Sequence, residues 1–310
     1  MIRRPKVTIV GAGMVGHTTA HWLAVDEIAD LVLVDIIENM PMGKALDLLQ
    51  SSPVRSVDVR VVGSNGYEET SDSDVAVIIA GIARKPGMTR EQLLDTNASI
   101  VKSVVEQVVK YSPTAYLVVV TNPLDAMTYL TYKISGFPRH RVIGESGALD
   151  STRFRTFIAM EVGISVEDVH GMVIGAHTDK DMVPLPRFAH AGGVPLTQLL
   201  TPQRVDAIVA RTRRGGAEIT ELMGQSAFFA PGAAIAQMVK AIVRDKKRLL
   251  PSSVYLDGEY GERDVCIGVP VVLGAGGVEQ IIELQLNEQE RAAFKSSVAA
   301  VREQLAALKL

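Results

Sequence analysis

The chain is poor in cysteine, in basic excess and in long apolar runs. Its one thiol, Cys266, cannot close an internal disulfide or join other thiolates around zinc. No uninterrupted apolar stretch approaches the roughly 20 residues that cross a bilayer. The formal net charge is −3, so the surface lacks the cationic bias that tracks nucleic acid or anionic lipid. The N-terminus, MIRRPKVTIVGAG, runs from two arginines straight into a short apolar segment and glycines, without the apolar core or cleavage site of a secretory leader. These absences predict a cytoplasmic protein with no metal, no nucleic-acid partner and no membrane attachment.

What is present suits a well-packed chain. Its 310 residues are 47% hydrophobic and 22% charged, enough for one large domain or two ordinary ones. Short β-branched runs alternate with helix-like stretches: KVTIVGAG, MVGHTTAHWLAVDEI, LVLVD, MGKALDLLQSS, VDVRVVGS, DVAVIIAG, REQLLDTNASIVKSVVEQVVKY and AYLVVVTNP. The apolar runs are nearly continuous, as in strands covered on both faces. The pattern predicts α/β architecture, a doubly wound parallel sheet of the Rossmann kind over residues 1–147. Beyond it the rhythm changes. A helix in DSTRFRTFIAMEVG, one run in DVHGMVIGAH, a helical pair near 202–223 and 233–248, and alternating segments from VYLDGEYG onward predict an α+β unit with antiparallel strands over 148–310.

VTIVGAGMVG is a strand followed by Gly11, Gly13 and Gly16, with a helix opening behind them. The first glycine suits a tight turn, the second a close approach to pyrophosphate, the third close packing of helix on strand. Asp35 ends the next strand, 19 residues after Gly16, where a carboxylate accepts hydrogen bonds from the adenine-ribose hydroxyls and repels a 2′-phosphate. The expected cofactor is therefore NAD rather than NADP. The later cluster VVLGAGG at 271–277 has no acidic residue suitably placed beyond it and is expected to be a plain turn.

Arg84, Lys85 and Arg90 flank a Pro86-Gly87 turn that follows a strand. Loops at the carboxyl ends of parallel strands are where ligands bind, and the planar fork of arginine suits a carboxylate; a solvated cationic loop accounts for the same residues. Asp150 and Arg153 lie three apart on an expected helix, as a simple ion pair or as an orienting acid and an anion clamp. His177 closes the run GMVIGAH, where an imidazole held by an aspartate could exchange a proton. His17 and His21 lack a third ligand and are read as packing or surface residues; His140, His170 and His190 have no assignable partner.

Taken together, GAGMVG, RKPGMTR, TNPLDAMTY, GALDSTRFR and IGAH, in this order over about 280 residues, resemble the lactate/malate dehydrogenase family, and within it the bacterial malate dehydrogenases that are lactate-dehydrogenase-like in sequence. The resemblance implies an NAD-dependent oxidoreductase acting on malate, a place in the tricarboxylic acid cycle and a homodimer or homotetramer. It implies that His177 is the acid/base group, that Asp150 orients it, and that Arg153 binds the substrate C1 carboxylate. Arg90 would close over the site and polarise the carbonyl, Asn122 would hydrogen-bond nearby, and Arg84 would match the second carboxylate of malate. Met14, Val15, Asn97 and Asn122 join the glycines and Asp35 as expected cofactor contacts. A lactate or other 2-hydroxy-acid dehydrogenase is the alternative enzyme, and a silent NAD-binding sensor the alternative outside catalysis. One departure stands out. The family follows the histidine with glycine, whereas this chain has HTDKDMVP, with Thr178 and one extra residue; a β-branched residue avoids positive φ, which predicts a different backbone path beside His177.

Overall fold

A computed structural model describes residues 3–83 and 87–308. Strand β1 (Lys6–Val10) leads into helix α1 (Met14–Val25), then β2 (Asp30–Val34), α2 (Met40–Arg55), β3 (Val61–Ser64) and β4 (Val75–Ile78). Next come α3 (Arg90–Tyr111), β5 (Tyr116–Val119), α4 (Leu124–Ser135) and β6 (Val142–Gly144). These six strands are parallel, in the order β3-β2-β1-β4-β5-β6. All four residues of β4 are buried, so helices cover the sheet on both faces and the near-continuous apolar runs follow.

The chain continues through α5 (Gly147–Val162), β7 (Val169–His170), β8 (Val173–Gly175), β9 (Met182–Pro184), β10 (His190–Ala191), β11 (Val194–Pro195) and the single turn α6 (Leu196–Leu199). It ends with α7 (Pro202–Met223), α8 (Phe229–Val243), β12 (Arg248–Asp257), β13 (Arg263–Gly274), β14 (Gly277–Ile281) and α9 (Glu288–Ala306). The long hairpin β12–β13 is antiparallel, and Ser253 of β12 pairs with Gly144 of β6. Through that one register contact the parallel strands and the antiparallel ones form a single eleven-stranded sheet.

Local signals explain several boundaries. Thr89 and Gln92 form a reciprocal capping box at the start of α3, as do Asn287 and Glu290 at α9. Each satisfies two otherwise unpaired amides. Phe154 and Ile158, one turn apart on α5, are fully buried with Val169 and Val173; each such side chain contributes about 1.5–3 kcal/mol of burial.

Three sequence expectations change. Of VDVRVVGS only Val61–Ser64 is strand. The run DVHGMVIGAH divides at Gly171 and Met172 into β7 and β8, which belong to different sheets. The second helix of the late pair is Phe229–Val243, not 233–248: Pro231 sits in its first turn, where no amide is needed, and left-handed Asp245 and Lys247 stop it. Helix α4 left no period to read, because Leu124 through Thr131 are buried without interruption. The glycine cluster at 271–277 is the β13–β14 turn. Among the described residues no helix is long and apolar enough to cross a membrane, and Cys266 is buried within β13, its thiol pushed up by burial.

Candidate active site

The glycine turn joins β1 to α1. Gly11 has φ +102°, and a Cβ there would lie 2.7 Å from the Ala80 amide nitrogen; a Cβ at Gly16 would collide with the Gly11 carbonyl oxygen. Both positions therefore demand glycine. At Gly13, by contrast, an added Cβ meets nothing within 4 Å, so the turn is open on the side where Met14 is exposed and Val15 lines the cleft. Helix α1 has no side-chain cap and no acid in its first turn, which suits an anion at its N-terminus.

Asp35 stands one residue past β2. Its Oδ2 accepts the Ala12 amide at 2.8 Å and its Oδ1 the Ile37 amide at 3.0 Å, tying the strand end to the glycine turn. Lys44, not singled out by sequence reasoning, donates to the Ala12 carbonyl at 2.6 Å from α2. Asn65 holds the Asp35 and Ile37 carbonyls at 2.7 and 2.9 Å. This cradle of backbone amides and a ribose-level carboxylate fits a dinucleotide without a 2′-phosphate.

From the turn a cleft of about 990 Å³ runs across the carboxyl ends of the parallel strands, lined by Gly81, Asn97, Asn122, Glu145, Arg153 and His177 among others. Asn97 is buried and its amide is fully engaged: Oδ1 accepts the Ile82 amide at 2.8 Å, and Nδ2 donates to the carbonyls of Ile82 and Asn122. It shapes the wall by holding two backbone segments together. Asn122 is exposed to the cleft at the end of β5.

At the far end, Asp150 on α5 is 1% exposed. Its Oδ2 lies 2.8 Å from His177 Nδ1 and its Oδ1 accepts from Arg153 Nη1 at 3.1 Å. One carboxylate thus makes both the contact with His177 and the ion pair with Arg153. With Nδ1 occupied, Nε2 is the nitrogen left for a substrate proton. Burial works against a charged imidazole here, but the Asp150 carboxylate, by charge and hydrogen bond, and Glu145 outweigh it and bring His177 up to about 9.

Three further features escaped the sequence. Asp125, buried in the first turn of α4, accepts the His177 amide at 2.9 Å and the Ser253 hydroxyl at 2.6 Å, anchoring the histidine backbone; burial raises its carboxyl to about 6. Glu145, between β6 and α5, accepts the Leu149 amide at 3.0 Å and is raised by burial to about 7. An acid inside an apolar run, as in TNPLDAM and VIGESGAL, is the signal that could have found both. Gly215 and Gly216 of α7 give Arg153 room, since a Cβ at Gly215 would lie 3.0 Å from its Cδ. Paired glycines in mid-helix cost about 1 kcal/mol each relative to alanine, which marks a close approach.

The segment after His177 is built around Thr178. Thr178 is not among the positive-φ residues. Its hydroxyl donates to Asp181 Oδ2 at 2.9 Å and accepts the Asp181 amide at 3.0 Å, and the Met182 amide returns to the Thr178 carbonyl. The extra residue is absorbed in this turn, which delivers β9 without glycine, while Asp179 lines the cleft. Arg90 is exposed at the first residue of α3 and is not among the residues lining the cleft; Arg84 lies outside the described residues. His170 and His190 stack across β7 and β10 at 4.9 Å, and His21 packs edge-on against Trp22.

Comparison with known proteins agrees with this geometry. The NAD-binding domain of lactate/malate dehydrogenases matches residues 5–144, and the α/β C-terminal domain of the same family matches 147–309. A malate dehydrogenase of Halalkalibacterium halodurans is 56% identical over 310 residues, 99% of this chain and 98% of that protein. Among solved structures, the malate dehydrogenase from Salinibacter ruber superposes with a TM-score of 0.94 at 50% identity, covering 97% of each chain. A lactate dehydrogenase from Cryptosporidium parvum, complexed with lactic acid and nicotinamide adenine dinucleotide, gives 0.95 at 40% identity over 99% of this chain and 98% of that one. The chain belongs to the lactate/malate dehydrogenase family.

Proposed function

We propose that the chain catalyses the reversible NAD-dependent interconversion of (S)-malate and oxaloacetate. The observation that carries this reading is the divided Asp150 carboxylate, one oxygen on His177 and the other on Arg153, in a cleft continuous with the glycine turn. Malate rather than lactate is favoured by the full-length identity of 56% to a malate dehydrogenase.

Gly11, Gly13, Met14, Val15 and Gly16 would hold the pyrophosphate, Asp35 the adenine ribose, and Asn122 the region near the reacting carbon, with Asn97 keeping Asn122 in place. When bound, NAD supplies the hydride acceptor for the alcohol and the donor for the ketone. His177 takes the hydroxyl proton at Nε2 in oxidation and returns it to the carbonyl oxygen in reduction. Asp150 fixes the tautomer and stabilises the imidazolium. Arg153 grips the C1 carboxylate through two parallel hydrogen bonds. Arg84 matches the second carboxylate. Arg90, at the start of α3, closes over the cleft and polarises the carbonyl. The proposal includes a cytosolic location and a homodimer or homotetramer; exposed Leu46 and Val54 on α2 and Met160 on α5 support association.

The test is the initial rate of NADH oxidation with oxaloacetate and with pyruvate, for the natural chain and for Arg84→Gln. Oxaloacetate is expected to be strongly preferred, and the substitution to move the ratio toward pyruvate by on the order of a hundredfold, as when a buried cation loses its partner. A natural preference for pyruvate supports a lactate dehydrogenase instead. NADH binding without turnover of either substrate supports a sensor.

A further inference from the structure

Five ionisable groups meet at the closed end of the cleft. Asp125, Glu145 and Asp150 are three carboxyls no more than 3% exposed, and among the described residues Arg153 and His177 face them with positive charge. Three buried carboxylates cannot all be ionised beside a neutral imidazole without a large uncompensated charge, so the site retains protons that its groups must share. Asp150 is committed to His177 and Arg153, and Asp125 to the His177 amide and Ser253. The Glu145 carboxylate, in contrast, accepts the Leu149 amide and lines the cleft, without a hydrogen bond to another side chain among the described residues.

We infer that Glu145 is a positioning residue that shares the buried proton of this site with His177, so that its charge decides over which pH range the imidazole stays protonated. The inference rests on His177 being the acid/base group. With Glu145 neutral, His177 feels Asp150 and Asp125 against Arg153. With Glu145 ionised, a further negative charge holds the proton on the imidazole, extending the form competent to reduce a ketone to higher pH. The charged groups around Glu145 are Asp150 and Arg153 from α5 and His177 from the turn before β9, while Asp179 of that turn and Glu221 of α7 line the same cleft. Burial dominates its environment and His177 is the largest charge partner, which supports the pairing.

The alternative role is structural, since a carboxylate just ahead of α5 is a favourable cap for its first turn. Glu145→Gln separates the two, because the amide oxygen can still accept the Leu149 amide but holds no ionisable proton. Nitrogen chemical shifts of the His177 ring are followed against pH in the full-length protein without cofactor, the signal being identified by its loss in His177→Asn. In Glu145→Gln the His177 midpoint is expected to fall by roughly one unit or more, the effect of one charge in a buried site. The pH profiles of oxaloacetate reduction and malate oxidation should shift with it, both toward lower pH. An unchanged midpoint in the folded variant overturns the inference and leaves Glu145 as a cap.

The natural protein supplies a second reading in case the variant does not fold: its His177 signal should show an added inflection near pH 7, and a single-step titration overturns the inference. These titrations need neither substrate nor cofactor. A protein inactive toward oxaloacetate therefore defeats the malate proposal while leaving the shared proton open to direct observation.

Discussion

The two oxygens of Asp150 hold different partners, His177 and Arg153, and both partners carry positive charge when the site is protonated. An amide at this position can accept one hydrogen bond through its oxygen, but it must turn its NH₂ group toward the other partner. Asp150→Asn is therefore expected either to force the wrong imidazole tautomer or to push Arg153 away. Turnover should fall by about 10²–10⁴, the usual contribution of an acid/base group, and the His177 pKa should drop toward its ordinary 6.5. Steady-state rates and the ring titration check this. Near-normal turnover would remove Asp150 from the relay.

At the scale of elements, the segment between β8 and β9 decides where the histidine points. Its ring is held by α5, its amide by α4 through Asp125, and the chain just beyond by the Thr178–Asp181 turn. Thr178→Val keeps the shape and removes both side-chain hydrogen bonds, worth together about 1–2 kcal/mol. Urea unfolding should register that loss, and kcat should fall because the neighbouring histidine is less firmly placed. If stability and kcat are both unchanged, the turn is an incidental feature of the longer connection.

At the scale of the whole molecule, Ser253 joins the two halves at the reaction centre: its backbone pairs with Gly144 and its hydroxyl binds Asp125. The proton-rich centre it closes carries a pH signature. Asp125, Glu145 and His177 all hold protons more tightly folded than unfolded, at about 6, 7 and 9 against ordinary values of 3.8, 4.5 and 6.5. A raised folded pKa contributes stability that is complete below the unfolded pKa and is lost as pH climbs through the folded one. Together these groups lower stability as pH rises from about 4 to about 9. Glu145→Gln, with nothing to ionise there, should lose less stability than the natural chain between pH 4.5 and about 7. Parallel urea-unfolding curves across that window would contradict the assignment.

Local chemistry was enough to make much of this protein legible. The glycine turn, Asp35 beyond its strand and the alternation of strands and helices depend on neighbours within a few residues, where turn geometry and periodicity act. The motif order was enough to identify the family and to name His177, Asp150 and Arg153. Helix α4 was not legible, because a helix buried on every side has no polar face to set its period. Nor were the roles of Asp125, Glu145 and Ser253, which come from α4, the β6–α5 junction and β12. Whether a buried acid is ionised, shared or neutral depends on charges brought beside it from distant parts of the chain, and only the tertiary structure decides those distances. The Thr178 turn lies between the two cases: its hydrogen bonds are local, but that they deliver β9 in register beside a fixed imidazole was settled by the sheet and helices around it.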